Sequence, residues 1–187
     1  MKEIEHFMNT VHLETGTENK ITLVLSCPGA CEELKGIPAS GKSGENLNKI
    51  LNKLNRLTKT TDWCRNKVTI TNAWDKVEHV CKTNRSEATN YEIKSATNIK
   101  RLHDEVKHTE RYIICFGKKA RLAIEKMIES HFKEGIDKPT IIYARHPGMQ
   151  SLNQIETDVQ GKEILRGQQN ATELRLEVIA SSIFSQL

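Results

Sequence analysis

Four short runs of β-branched and aromatic residues are separated by longer amphipathic segments along this chain of 187 residues. The runs are Ile21–Ser26, Val68–Thr71, Tyr112–Phe116 and Thr140–Ala144. Runs of this length are too short for good helices, and their β-branched and aromatic content is typical of buried strands. The pattern therefore predicts four strands with helical segments between them.

Apolar residues between the runs recur at the three- and four-residue spacing of helices. This spacing is found from Leu47 to Leu57, from Ile99 to Val106 in a segment expected to begin near Ser86, from Ala120 to Ile128, over Ala171–Phe184 and over Ile4–Val11. Strands that alternate with helices form parallel sheets covered on both faces. We therefore predict an α/β fold, a three-layer α/β/α sandwich around a short four-stranded parallel sheet, in one domain over residues 1–187.

The composition suits a globular protein, with 37% hydrophobic and 28% charged residues. No run approaches the ~18 apolar residues of a membrane span, and the first residues lack the apolar segment of a secretion signal. We therefore expect a cytoplasmic protein without membrane contact. The five cysteines have irregular spacing and include no C-x-x-C pair, so we expect neither a disulfide framework nor a metal site.

Positive charge is concentrated between Lys42 and Lys67, where seven basic residues stand against Glu45 and Asp62. A surface of this kind suits a polyanionic partner such as DNA. Charge alone fits a solvated lysine-rich helix face equally well.

The stretch from Gly36 to Ser43 matches the phosphate-binding pattern G-x-x-x-x-G-K-S/T. In triphosphatases a strand leads directly into the first glycine, but here the strand ends at Ser26 and polar residues precede Gly36. A magnesium-binding aspartate at the end of a second strand is also missing. We therefore interpret the glycines as a helix start that holds a phosphate of a nucleic-acid backbone.

A longer pattern begins at Leu23 and reads L-V-L-S-C-P-G-A-C-E-E-L-K-G-I-P-A-S-G-K-S-G-E-N-L. It resembles the first motif of the uracil-DNA glycosylase superfamily, especially family 4. Three stretches that resemble later motifs follow in order: V-T-I-T-N ending at Asn72, I-I-C-F-G-K-K-A ending at Ala120, and R-H-P-G beginning at Arg145. The matching positions of the first motif are Pro28, Gly29, Glu32, Gly36, Pro38, Gly41 and Gly44.

The resemblance implies a monofunctional DNA glycosylase that flips a nucleotide out of the duplex and hydrolyses its N-glycosidic bond. His146 would stabilise charge on the departing base, and the carboxamide of Asn72 would read the base edge. The partner would be DNA, and we expect a monomer. The implied catalytic positions are Ser26, Cys27 and His146; the base-binding positions are Pro28, Gly29, Ala39, Asn72 and Asp75; the DNA-binding positions are Gly41, Lys42, Ser43, Gly117, Lys118, Arg145 and Met149.

The sequence departs from the family pattern where water is activated. Ser26 replaces the glutamate of family 4, and Cys27 stands where other branches have aspartate or asparagine. For this step the alternatives are activation of the water by Glu32, Glu33 or Asp75, and orientation of the water by backbone groups around Ser26. Family 4 also carries an iron–sulfur cluster on four cysteines, two of which precede the first motif. No cysteine precedes Cys27 here, so we expect no cofactor.

The second departure is Ala39, at the position of a phenylalanine that stacks on the flipped uracil. Loss of the ring removes stacking worth ~1–3 kcal/mol and leaves room for a larger base. We therefore predict a bulky modified cytosine as substrate, such as glucosylated hydroxymethylcytosine in phage DNA, with a role in antiviral defence. The alternatives are uracil excision in DNA repair, with Trp74 or Phe116 as the stacking ring, and a non-catalytic nucleic-acid or nucleotide-binding module.

Overall fold

Four parallel strands form the centre of the computed structural model, which describes residues 10–131 and 138–187. Within these residues the strands are β1 (Ile21–Leu25), β2 (Thr69–Asn72), β3 (Tyr112–Phe116) and β4 (Thr140–Ala144). Their order in the sheet is β2-β1-β3-β4. The predicted α/β fold around a four-stranded parallel sheet is confirmed.

The register of the sheet brings the carboxyl ends of the strands to one edge. Leu25 is paired with Asn72 across β1 and β2, and Phe116 is paired with Ala144 across β3 and β4. The residues that follow these pairs include the predicted catalytic positions. This edge is where parallel α/β sheets bind their ligands.

Helices cover both faces of the sheet. Side chains alternate between the faces. Leu23 and Ile114 therefore pack in one cluster with the helices of residues 42–58 and 171–184, whereas Val24 and Cys115 pack in a second cluster with the helices of residues 96–106 and 118–131. Within the described residues, no helix is both long and apolar enough to cross a membrane. The helices are α1 (Ala30–Lys35), α2 (Lys42–Thr58), α3 (Val80–Thr83), α4 (Asn90–Ile93), α5 (Ala96–Val106), α6 (Lys118–His131), α7 (Met149–Leu152) and α8 (Ala171–Phe184).

The helix predicted to begin near Ser86 starts later and is divided. Thr89 caps α4, because its hydroxyl accepts the Glu92 N–H at 3.3 Å while the Glu92 carboxylate accepts the Thr89 N–H at 2.8 Å. The helix then stops, and α5 begins at Ala96. The greater part of the helix predicted over residues 4–11 lies outside the described residues.

Candidate active site

His146 lies after β4 and is half-buried. The Gly148 N–H donates to His146 Nδ1 at 3.0 Å, so Nδ1 is an acceptor and Nε2 carries the proton. Burial lowers the pKa of His146, and the carboxylates of Glu87 and Glu32 offset part of this effect. The ring is therefore a neutral Nε2–H donor at neutral pH, which suits hydrogen bonding to an oxygen that gains negative charge.

Residues 145–148, between β4 and α7, form the loop that carries His146, and this His146 loop meets the end of β3 and the start of α2. Gly117 has a φ of +89°, and a Cβ on it would lie 3.2 Å from His146 Cβ, so a side chain there would be strained by its backbone and crowded by the Cβ of His146. A Cβ on Gly148 would lie 3.3 Å from Ser43 Oγ. The structure thus brings three predicted positions, Ser43, Gly117 and His146, into one place.

Asn46 fixes the same loop and was not among the predicted site residues. It is 1% exposed, and its Nδ2 donates to the Pro147 carbonyl at 2.8 Å. Its Oδ1 is buried and has no partner among the described residues. The sequence signal was an asparagine in line with Ile50 and Leu54 on the buried stripe of α2.

Met149, which was predicted to contact DNA, has its sulfur 3.6 Å from Asn46 Nδ2 and packs against the core cluster. The described contacts of this side chain are therefore internal. Its predicted contact with DNA stays a prediction.

The end of β1 places Ser26 beside an unexpected carboxylate. Ser26 is 8% exposed, and its hydroxyl donates to Glu87 Oε1 at 3.4 Å. The Cys27 thiol donates to the Ser86 carbonyl at 3.6 Å, and burial raises its pKa to about 11. Cys27 is therefore a protonated thiol at neutral pH and supplies no base for water activation.

Among the described contacts, none of the three acidic residues considered from the sequence forms a hydrogen bond with the Ser26 hydroxyl, which is bonded to Glu87. Glu32 accepts backbone N–H groups from Gly29 at 3.0 Å, from Ser40 at 2.9 Å and from Gly41 at 3.3 Å. This carboxylate therefore joins the two halves of the first motif, and both of its oxygens are occupied.

Glu33 lies on the outside of α1, where it pairs with His79 at 2.9 Å and with Lys82. Asp75 lines a groove of about 510 Å³ that also includes Trp74 and Arg85. The base-contacting role predicted for Asp75 stays a prediction.

Asn72 ends β2 and is 2% exposed. Its Nδ2 donates to the His12 carbonyl at 3.3 Å, while its own carbonyl accepts from Arg101 at 3.0 Å. Neighbouring Pro28 is buried, and its carbonyl accepts the Glu78 N–H at 2.9 Å. These contacts hold the residues after β1 and β2 in place. Base reading by Asn72 stays a prediction.

Ala39 is 5% exposed and belongs to the core cluster beneath α2. The Arg65 guanidinium holds its loop by donating to the Pro38 carbonyl at 2.7 Å and to the Ala39 carbonyl at 3.1 Å. A Cβ on Gly44 would lie 1.7 Å from the same Ala39 oxygen, so this close approach requires glycine. The methyl group of Ala39 is thus covered, and an enlarged base pocket at this position stays a prediction.

The predicted excess of positive charge between Lys42 and Lys67 is largely offset by acidic partners, so that prediction needs correction. Lys49 and Lys53 face acidic residues of α8, and Lys42 pairs with Glu45 at 2.7 Å. Lys118 and Arg145 instead are exposed at the site edge, and neither makes an ion pair with a described residue. The pairs in the basic segment are Lys42–Glu45, Lys49–Glu173, Lys53–Glu177, Arg65–Glu14 and Lys67–Glu18.

All five cysteines are free. Across residues 10–131 and 138–187, no three His, Cys, Asp or Glu side chains are grouped as metal ligands would be. The expectation of a site without metal or cofactor stays a prediction.

Comparison with protein families gives one finding that bears on this geometry. A sequence model of the uracil DNA glycosylase superfamily matches residues 14–166. The match includes all four strands, the Ser26 and Asn72 positions and the His146 loop. A comparison with curated proteins finds no match.

Proposed function

The chain belongs to the uracil DNA glycosylase superfamily, and we propose that it is a monofunctional DNA glycosylase acting on a flipped pyrimidine. The observation that carries the proposal is the His146 ring, a neutral donor fixed by the Gly148 N–H at the carboxyl edge of the sheet. Hydrolysis of an N-glycosidic bond leaves its electron pair on the departing base. A fixed donor at that base is what the reaction needs.

The His146 Nε2–H donates to the base oxygen on which the charge develops. A preorganised donor of this kind contributes ~3–4 kcal/mol, or roughly 100- to 1,000-fold in rate. Because burial lowers the pKa of His146, the ring is neutral in the substrate complex and returns to the same state after each turnover. The sugar meanwhile becomes electron-poor and is attacked by water.

DNA is held through its phosphates. Lys118 and Arg145 are exposed cations that follow the ends of β3 and β4, and the first turn of α2 lies beside the His146 loop at Ser43. Backbone N–H groups at a helix start favour a phosphate, and unpaired cations add an attraction that weakens with salt.

Within this class we propose a bulky modified cytosine, such as glucosylated hydroxymethylcytosine of phage DNA, as the base removed, with antiviral defence as the role. The support is the absence of an aromatic ring at Ala39, which lowers the affinity expected for uracil. The carboxamide of Asn72 can form hydrogen bonds with either uracil or cytosine, since it offers both a donor and an acceptor. Uracil excision is the competing assignment.

The experiment incubates the protein in excess over DNAs that carry uracil, hypoxanthine or glucosylated hydroxymethylcytosine, and measures released base by chromatography. We expect release of the bulky cytosine and weak release of uracil. His146→Ala should slow release by ~100-fold or more, whereas His108→Ala, an exposed histidine with no described side-chain contact, should not.

Robust uracil release without release of the bulky base would assign the protein to repair of uracil. DNA binding without release of any base would identify a non-catalytic binding module and refute the proposed function.

A further inference from the structure

Ser26 occupies the position from which the first motif would supply a carboxylate, and the structure brings a carboxylate to it from another loop. Glu87 Oε1 accepts the Ser26 hydroxyl at 3.4 Å. The two residues are 61 positions apart in the chain. The loop that carries Glu87 joins α3 to α4 and lies against the end of β1.

The neighbours of Glu87 anchor this loop on both sides. The preceding Ser86 carbonyl accepts the Cys27 thiol, and the following Ala88 is 2% exposed in the core cluster that contains Val24 and Trp74. Glu87 itself is exposed. Its backbone is thus held at the site while its side chain remains accessible to water.

Arg85 secures the start of the loop. It pairs with Glu78, which is 4% exposed, and with Glu92 at the start of α4. The Arg85 guanidinium lowers the pKa of both carboxyl groups to about 2, so both stay ionised and paired. These carboxylates are therefore engaged in holding the loop, whereas Glu87 has the Ser26 hydroxyl as its one described partner.

We propose that Glu87 is the catalytic carboxylate of the reaction, and that Ser26 and Glu87 together hold the attacking water; the inference rests on the proposed function. The water oxygen bonds to C1′ of the sugar as the N-glycosidic bond breaks. The bonding electron pair leaves with the base, and a proton of the water passes to Glu87. Glu87 then releases this proton to solvent, and the base anion takes a proton from solvent.

The charges around the site agree with separate roles for Glu87 at the water and His146 at the departing base. The Glu87 carboxylate raises the pKa of both Cys27 and His146, so it lies within electrostatic reach of both ends of the site. A negative charge on the Ser26 side stabilises the electron-poor sugar, and the neutral His146 donor meets the base.

The test measures single-turnover release of base from the DNA that the wild-type protein cleaves fastest. Glu87→Gln keeps the size of the side chain and an acceptor for Ser26 but removes the base. We expect release to slow by ~100-fold or more, as for other general bases, with DNA affinity changed by less than about threefold. The matched control is Glu110→Gln, which removes one negative charge from an exposed glutamate just before β3, at the opposite edge of the sheet, and should leave the rate unchanged.

A second variant separates chemistry from folding. Glu87→Ala opens space for a small carboxylate, so added formate should restore part of the lost rate, and should do nothing for Glu110→Ala. A Glu87→Gln protein that releases base at the wild-type rate would overturn the inference and leave the proposed function standing. A wild-type protein that releases no base from any DNA would overturn both.

Discussion

Replacing Asn46 by alanine should separate stability from activity. The substitution removes the Nδ2 that donates to the Pro147 carbonyl, and an unpaired buried acceptor costs ~1–3 kcal/mol. It also removes Oδ1, which is already buried without a described partner and carries a comparable cost. The two effects oppose each other, so we expect the free energy of unfolding to change by less than about 1 kcal/mol.

The rate of base release should respond differently. Asn46 ties the N-terminal part of α2 to the residue after His146, and its loss frees the His146 ring to shift. A displacement of about 1 Å in a catalytic group can cost ~100-fold in rate. We therefore expect single-turnover release to fall by ~10- to 100-fold while DNA affinity changes little.

The assay pairs urea unfolding with single-turnover release for each variant. Asn52→Ala, an exposed asparagine of the same helix, is the control and should match the wild-type protein in both measurements. Asn46→Asp places an acceptor, and at neutral pH a buried charge, against the Pro147 carbonyl, so it should lower stability as well as rate. The positioning argument is refuted if Asn46→Ala releases base at the wild-type rate.

Two further predictions concern the same edge of the sheet. Burial lowers the pKa of His146 below its ordinary value of 6.5, so the unfolded chain binds a proton at this residue more readily, and stability should fall as pH drops below about 6.5. The loss of stability between pH 7.5 and 5.5 should be smaller in His146→Gln than in the wild-type protein. Equal losses would contradict the assignment of a neutral buried ring. Replacing Lys118 and Arg145 together by glutamine should weaken DNA binding. The slope of log binding constant against log salt concentration should become shallower by about 1.8, or ~0.9 per phosphate contact. As a control, Lys49→Gln with Lys53→Gln should change this slope less, because both lysines face α8.

The strands could be predicted closely because their physical cause is local. Each run is short and rich in β-branched or aromatic side chains, and all five residues of β1 are buried. The long helices followed for the same reason, from the spacing of residues such as Leu47, Ile50 and Leu54. The helix α1 has no buried residue, so it has no apolar stripe from which the sequence could predict it. Its stability depends instead on the contact between the Glu32 carboxylate and the Gly29 N–H.

The distribution of charge along the chain predicted the charged surface less well than apolar spacing predicted the helices. Lys49 and Lys53 contribute to a basic segment in the sequence, but Glu173 and Glu177 lie 124 residues further along and meet them across the packed faces of α2 and α8. The spacing of apolar residues within a segment shows which face of that helix is buried. An ion pair between two helices depends instead on how the helices pack against each other, which the local sequence does not show. The net charge of a segment therefore does not show which of its positive charges lack an acidic partner in the folded protein.

The same reasoning explains why a missing carboxylate in the first motif does not imply a missing function. Hydrolysis needs a negative charge at a position in space, beside the end of β1, and the chain can meet that need from any loop that packs there. Ala88 and the Arg85 pairs fix the loop after α3, so Glu87 reaches Ser26 although no periodicity or motif marks it. A residue-by-residue comparison with the family pattern inspects Ser26 and Cys27 and finds no base. The structure brings Glu87, the carboxylate that we propose as the base, to the same strand end.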